Sequence, residues 1–247
     1  MTKKAKSETS STVLRAIKIL KHLKEVPGPQ SLSDISQSLD LSQTIVHRLL
    51  TTLKSEGLIY QDPRSKLYSL GTVFIEYANK IMTEMPLAPL VEPQLSKLRD
   101  LTGETVGFYI PIGNERVCVL EYESQQEIRR SVGIGRRHPL YLGASGRAIL
   151  AYMPYDIQQN ILTSLSQQQR SSIRKLLEET AKNGFSTNEG EITENVGALS
   201  VPVFDHKQGV IGALSVSGPL FRWNRRTMIS FVPVVQKASK AITASLE

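Results

Sequence analysis

The stretch Ser31-Leu32-Ser33-Asp34-Ile35-Ser36-Gln37-Ser38-Leu39-Asp40-Leu41-Ser42-Gln43-Thr44-Ile45-Val46-His47-Arg48-Leu49-Leu50 decides the fold of the first third of the chain. It reads as two short amphipathic helices around a tight turn. Ser31 stands three residues before Asp34, a variant of the N-capping pattern, and Leu32, Ile35 and Leu39 form the buried stripe of the first helix. Asp40-Leu41 is the turn, and Ser42 is the expected N-cap of the second helix. At about 100° per residue, Ile45, Val46, Leu49, Leu50 and Leu53 fall in one arc of about 140°. Gln43, Thr44, His47, Arg48, Thr51, Lys54 and Ser55 fall in the opposite arc.

Working outward, Val13, Ala16, Ile17, Leu20 and Leu23 recur at helical spacing before Pro27-Gly28-Pro29 stops them. Residues 1–10, with Lys3, Lys4 and Lys6, have nothing to bury and read as a flexible basic tail. On the other side Gly57 ends the helix. Residues 58–61 and 66–71 then predict two short strands joined by the polar turn Asp62-Pro63-Arg64-Ser65. Residues 11–71 are therefore helix, helix-turn-helix and hairpin. A helical linker is expected over 72–89, broken at Pro86 and Pro89.

Residues 90–247 mix hairpins with helices, which indicates an α+β domain with a largely antiparallel sheet. A helix is expected near 91–101 and a hairpin over 105–122 around Gly113-Asn114. Short strands follow near 128–132 and 139–142, helices over 145–153 and 170–183, strands over 197–204 and 210–217, and a last helix from Asn224 with Trp223 as a packing anchor.

A major groove about 12 Å wide accepts one helix, which needs an apolar face for its own domain and a face of short polar and cationic groups for the DNA. The helix starting at Ser42 meets that requirement. Gln43, Thr44 and His47 are candidates for base contacts, Arg48 and Thr51 for bases or phosphates, and the Ser42 hydroxyl for a phosphate. Arg64 and Lys66 on the hairpin form a wing toward the adjacent backbone or minor groove. An ordinary amphipathic helix with a solvated polar face has the same pattern; the trailing hairpin and basic tail favour the double-stranded DNA reading.

The charge agrees. The 247 residues carry 30 Lys and Arg against 23 Asp and Glu, a formal charge of +7. Up to Met85 there are 12 cations, nine of them Lys, against 8 acids; from Pro86 on, 18 stand against 15, and Arg dominates. The two parts have different anionic clients, phosphates for the first and an organic acid or another subunit for the second. No run approaches the roughly 18 apolar residues of a membrane span, and the first residues are polar, so a cytoplasmic protein without a membrane partner is expected. Cys118 stands alone, which forbids an internal disulfide or a cysteine-rich zinc site and makes it a small buried apolar residue.

The sequence resembles the isocitrate lyase regulator (IclR) family of bacterial transcription factors over nearly its whole length. The likeness is carried by Val13-Leu14-Arg15-Ala16-Ile17-Lys18-Ile19-Leu20, by Ile45-Val46-His47-Arg48-Leu49-Leu50 with Leu53 and Gly57-Leu58, and by Tyr68-Ser69-Leu70-Gly71. In the second part it is carried by Gly143-Ala144-Ser145-Gly146-Arg147-Ala148-Ile149-Leu150-Ala151 and Gly212-Ala213-Leu214-Ser215-Val216-Ser217-Gly218-Pro219. The resemblance implies a winged helix-turn-helix followed by a GAF-like effector-binding domain, assembly as a homodimer or homotetramer, and repression or activation of operons. By position, the family's effector contacts fall on Ala144, Ser145, Ser215 and Ser217, with His138, Asn188 and Ala198 at further aligned places. Some members have Asp where Asn188 stands and Cys where Ala198 stands, so an effector preference does not carry over.

The effector motifs also have a physical reading. Gly143-Ala144-Ser145-Gly146 lacks bulk where a helix starts, so its amides and the dipole can receive a carboxylate, with room left for a ligand. Ser215 and Ser217 alternate with apolar residues and share one face of a strand. Arg129, Arg130, Arg136 and Arg137 offer further partners for an acid, or a solvated face or subunit contact.

An enzyme is the competing class. His22, His47, His138 and His206 are scattered and none has acidic neighbours at metal-ligand spacing. No phosphate-loop, dinucleotide or nucleophile-elbow pattern occurs, which leaves no catalytic residue, cofactor or metal to assign. A nonspecific architectural DNA binder accounts for the charge but leaves about 160 residues without a task.

Overall fold

The computed structural model describes residues 9–246, so most of the expected basic tail, with Lys3, Lys4 and Lys6, lies outside the described residues. The chain divides into two compact units, 1–85 and 86–247.

The first unit contains helices α1 (Ser11–Glu25), α2 (Leu32–Leu39) and α3 (Gln43–Ser55), strands β1 (Ile59–Gln61) and β2 (Tyr68–Leu70), and helix α4 (Val73–Thr83). The Ser31–Asp34 capping box forms as expected, with Ser31 Oγ accepting from the Asp34 N–H at 3.1 Å and Asp34 accepting from the Ser31 N–H at 3.2 Å. Ile19, Leu23, Ile35, Val46, Leu49, Leu50, Leu53, Ile59 and Tyr68 make the core. Two expectations need correction. Helix α1 turns Ile19 and Leu23 inward with Ala16 and Leu20 beside them, and leaves Val13 and Ile17 exposed, because the arc facing α2 and α3 lies to one side of the expected stripe. Ser42 occupies the N-cap position of α3, but its hydroxyl makes no capping bond.

Strands β1 and β2 pair antiparallel, and Gln30 adds a rung by exchanging backbone bonds with Tyr68 at 2.9 and 2.7 Å. Gly71 closes the hairpin against the end of α3 through its N–H on the Leu58 carbonyl at 2.9 Å. A methyl group there would overlap the carbonyl oxygen of Gly57, so only glycine fits.

The second unit contains α5 (Ala88–Thr102), β3 (Thr105–Ile112), β4 (Glu115–Tyr122), β5 (Arg137–Pro139), α6 (Gly143–Leu150), α7 (Tyr155–Leu162), α8 (Gln167–Asn183), β6 (Ser186–Glu189), β7 (Val196–Phe204), β8 (Val210–Pro219) and α9 (Arg225–Ala244). The six strands form one antiparallel sheet in the order β5-β4-β3-β8-β7-β6. Helices α5 and α9 pack on each other and on β3 and β7, while α6 lies against β6, β7 and β8 with α8 behind it. The apolar core on the α6 side includes Tyr109, Cys118, Leu140, Ile149, Leu162, Leu177 and Ala213. Burial pushes the Cys118 thiol up to about 12, in keeping with an inert core residue.

The strand expected at 128–132 does not form, and the one expected at 139–142 is displaced to β5, Arg137–Pro139, which pairs with β4. Backbone groups of 128–133 bond to side chains instead of a ladder. Glu121 accepts from the N–H groups of Val132 and Gly133 at 2.9 Å, and Arg222 donates to the Ile128 carbonyl at 2.6 Å. Gly133 and Gly135 have φ of +88° and +83°, which break an extended run. Helix α7, with Pro154 before it, and strand β6 were not anticipated, and α8 starts earlier than expected, at a Ser166–Gln169 capping box. At the last helix Asn224 is the N-cap; Trp223 is buried as expected, with its indole N–H on the Val216 carbonyl at 3.3 Å.

Candidate functional site

Two regions bring the candidate residues together, one in each unit. In the first, Ser42, Gln43, Thr44, His47, Arg48 and Thr51 are all exposed on α3, opposite the buried Val46, Leu49 and Leu50. The Thr51 hydroxyl donates to the His47 carbonyl at 2.9 Å, so its oxygen stays near the helix surface. Arg64 and Lys66 are exposed on the wing. The wing turn is built by Asp62, whose Oδ1 accepts from the N–H groups of Arg64 at 3.0 Å and Ser65 at 2.7 Å. The Ser65 bonds hold the Asp62 carboxyl below its usual range. Lys54 donates to Gln61 at 3.0 Å, and Gln61 donates to the Lys66 carbonyl at 3.2 Å. That chain of bonds ties the wing to α3 and fixes the spacing of their cations.

In the second unit a pocket opens on the α6 side of the sheet. His138, Ser145, Asn188, Ala198, Ser215 and Ser217 line it; Ala144, the seventh candidate, is buried but does not. The cleft between these residues holds about 440 Å³, the open solvent at its mouth included. Ser215 and Ser217 share the face that carries Ala213 into the α6-side core, as a strand's alternation requires. Ser200 Oγ donates to Ser215 Oγ at 2.7 Å.

The start of α6 is not vacant. Its Gly143 N–H donates to Glu191 Oε1 at 3.0 Å, and Arg147 Nη1 reaches Oε1 and Oε2 of the same carboxylate at 2.8 and 2.7 Å. Arg147 Nη2 also donates to the Thr187 carbonyl at 3.1 Å. A carboxylate of the chain therefore takes the place at this N–H expected for a ligand's. The room left by the small residues is used as well: a methyl on Gly143 would overlap Ile192, and one on Gly146 would overlap the Leu140 carbonyl oxygen and lie 2.9 Å from Arg116 Nη1.

Arg116 is the residue that sequence reasoning missed. It stands on β4 and is buried to 2% exposure, donating from Nε to Ser145 Oγ at 2.6 Å and from Nη1 to the carbonyls of Pro139 and Leu142 at 2.8 and 2.7 Å. Its guanidinium lies over the Tyr109 ring, 5.9 Å from the centroid. Burial lowers its pKa to about 10, leaving it charged at neutral pH. A signal was present: Arg116 is two residues before Cys118 on one strand, so both side chains point to the face that buries the cysteine. Of the four arginines singled out in sequence, Arg129 pairs with Glu123 at 2.9 Å and Arg137 with Glu115 at 3.3 Å, while Arg130 lines the pocket. His138 is held below its usual value by burial first, and then by Arg116, Arg130 and Arg136.

Among the described residues no group of His, Cys, Asp and Glu could hold a metal ion, and no helix is long and apolar enough to cross a membrane.

Comparison with known proteins matches two family models along the chain. Residues 12–63 match the IclR helix-turn-helix domain, and residues 79–244 match the bacterial transcriptional regulator IclR C-terminal domain. The chain is 29% identical over 217 residues to the HTH-type transcriptional regulator KipR of Bacillus subtilis, covering 85% of this chain and 86% of that protein. It is 27% identical to the HTH-type transcriptional repressor AllR of Salmonella paratyphi A, covering 94% and 88%. An IclR homolog from Microbacterium hydrocarbonoxydans, solved in complex with 4-hydroxybenzoate, shares the fold with a TM-score of 0.80 at 20% identity, covering 96% of this chain and 99% of that one. With family models matched over most of its length, the chain belongs to the IclR family of bacterial transcriptional regulators.

Proposed function

We propose that the protein represses transcription by binding a DNA operator through α3 and its wing, and that a small organic acid in the second-unit pocket changes that binding. The observation carrying this reading is the presence in one chain of an exposed polar helix face with a braced cationic wing and a pocket lined by Arg116, His138, Ser145, Asn188, Ser215 and Ser217. Gln43, Thr44 and His47 face base edges; Ser42, Arg48, Thr51, Arg64 and Lys66 hold the backbone. Ser145, His138, Asn188, Ala198, Ser215 and Ser217 surround the effector, with Ala144 supporting them from behind. The name of AllR as a repressor supports the sign of regulation, and the 4-hydroxybenzoate complex of a structural neighbour supports an acid. The protein acts in the cytoplasm, on the chromosome, by binding and without turnover.

One winged helix reads only a few base pairs, so a dimer or a tetramer of two such dimers on a partly palindromic site is the economical form, with half-sites one helical turn, about 10 bp, or a multiple apart. Exposed Val13, Leu14 and Ile17 on α1 and Ile75, Tyr77 and Ile81 on α4 supply apolar surface for that contact, and α4 has no buried residue of its own. The linker proposed over 72–89, around α4, couples the DNA-binding segment 11–71 to the effector domain of 90–247, and a ligand that binds one arrangement better shifts the assembly toward it. The test is operator selection from genomic fragments followed by anisotropy titration with and without an acid that the protein binds. Sequence-specific binding altered by the acid supports the reading; binding without sequence preference, or an affinity indifferent to a bound acid, overturns it.

A further inference from the structure

Two guanidiniums, Arg116 and Arg147, are buried at the pocket; Glu191 is bonded to the second, and Glu121 is spent on the backbone N–H groups of Val132 and Gly133. Both oxygens of the Glu191 carboxylate are engaged by Arg147 Nη1. Arg116 has only neutral partners, on Nε and Nη1, and its Nη2 donates to none of the described residues. The Tyr109 ring beneath it is attractive but supplies no counter-charge. Glu191 attracts Arg116 through space but gives it no hydrogen bond, and a buried charge is costly unless it is paired and hydrogen-bonded. Arg130, partly exposed at the same pocket, adds positive potential rather than relieving it. A second group there is also incomplete: Asn188 Oδ1 is buried with no hydrogen-bond partner. Asn188 comes from β6 and Arg116 from β4, strands separated by three others in the sheet, so their shared pocket spans most of its width.

We propose that Arg116 and Asn188 set the specificity of this pocket for a hydroxy acid, whose carboxylate takes Arg116 Nη2 and whose hydroxyl donates to Asn188 Oδ1. The inference rests on the effector-pocket reading above and names the ligand's chemical class. One unpaired cation calls for one carboxylate, and one orphan acceptor calls for one donor. A plain carboxylic acid satisfies only the first and an alcohol only the second.

The test uses the full chain, with thermal shift and calorimetry against lactate, 3-hydroxybutyrate and 4-hydroxybenzoate. Each is compared with its analogue lacking the hydroxyl (propionate, butyrate, benzoate) and with its own primary amide. At least one hydroxy acid is expected to bind roughly tenfold or more tightly than both its analogues. R116Q is expected to abolish the preference for acid over amide, and its ligand-free midpoint falls with the lost bonds to Ser145, Pro139 and Leu142, so the preference is read on the folded variant. N188L is expected to abolish only the preference for the hydroxyl. If R116Q does not fold, R116K, which keeps the charge and loses the planar fork, is expected to weaken acid binding roughly tenfold. No acid bound by the wild type, amides bound as well as acids, or a folded Arg116 variant with unchanged acid affinity would each overturn the proposal. The functional reading fails separately: if the acid binds through Arg116 but operator affinity does not change, the specificity stands and the regulatory reading falls. If a neutral ligand in the pocket alters operator affinity, the reverse holds.

Discussion

Arg116 Nε donates to Ser145 Oγ at 2.6 Å, across 29 residues of sequence, and so joins strand β4 to the first turn of helix α6. The serine in the small-residue motif is thus the buried seat of a guanidinium as well as a pocket wall. S145A removes the acceptor of a charged donor that water cannot reach, and is expected to destabilise the second unit by about 2 kcal/mol. Urea unfolding of the ligand-free protein measures it. A loss below the error of that measurement would mean that Arg116 finds another acceptor.

The face of α3 and the wing proposed for DNA makes a different demand, since its side chains are exposed. R48A and K66A are each expected to weaken operator binding and to lower the slope of log affinity against log salt by about one. Acid binding at the pocket stays unchanged. An unaltered slope in both variants would take these residues off the phosphate backbone.

Gly71 shows how much of the first unit was written locally. Capping box, recognition helix and hairpin each depend on a few adjacent residues, and their chemistry is legible at that range: Ser31 with Asp34, apolar spacing from Ile45 to Leu53, and a polar turn at Asp62. The contacts that misled are tertiary. Which arc of α1 faces inward depends on α2 and α3, and the segment 128–133 resembles a strand by composition until Glu121 and Arg222 take its backbone groups from afar. The pocket divides in the same way. Ser215 and Ser217 announce themselves by alternation, whereas Glu191 reaches α6 across 44 residues with no local signature. Gly71 joins both scales: its place after Tyr68-Ser69-Leu70 is a motif, but its reason is the Gly57 carbonyl against it. G71A is expected to cost about 3 kcal/mol and to melt the first unit before the second, giving two transitions by calorimetry. A single transition at the wild-type midpoint would refute it.

The histidine of the pocket gives a pH dependence with a definite sign. His138 has its folded pKa depressed below the usual 6.5 by burial and by neighbouring arginines, chiefly Arg116. The unfolded chain therefore binds a proton that the folded protein refuses, and stability falls as pH drops from about 6.5 toward the lower folded value, levelling off below it. H138Q should remove this part of the slope and leave the remainder. Superimposable stability curves for variant and wild type between pH 7 and pH 5 would exclude His138 as its source.

The Glu191 clasp predicts a kinetic effect. Arg147 is almost wholly buried, its side chain 3% exposed, and Glu191 joins it to the turn between β6 and β7 that carries Ile192 and Thr193 to the pocket. E191Q keeps the shape and a hydrogen-bonding oxygen but withdraws the charge. Because the glutamate side chain is 28% exposed, the loss is discounted for screening to about 2 kcal/mol, below the cost of breaking a fully buried pair. The loosened turn lets ligand in and out more readily, so both association and dissociation should speed up, with affinity changing less than either rate. Stopped-flow binding of an acid, read beside amide exchange at residues 190–196, separates this from general destabilisation. A slower or unchanged dissociation, with exchange raised across the whole unit, would show that the pair holds the fold and does not gate the pocket.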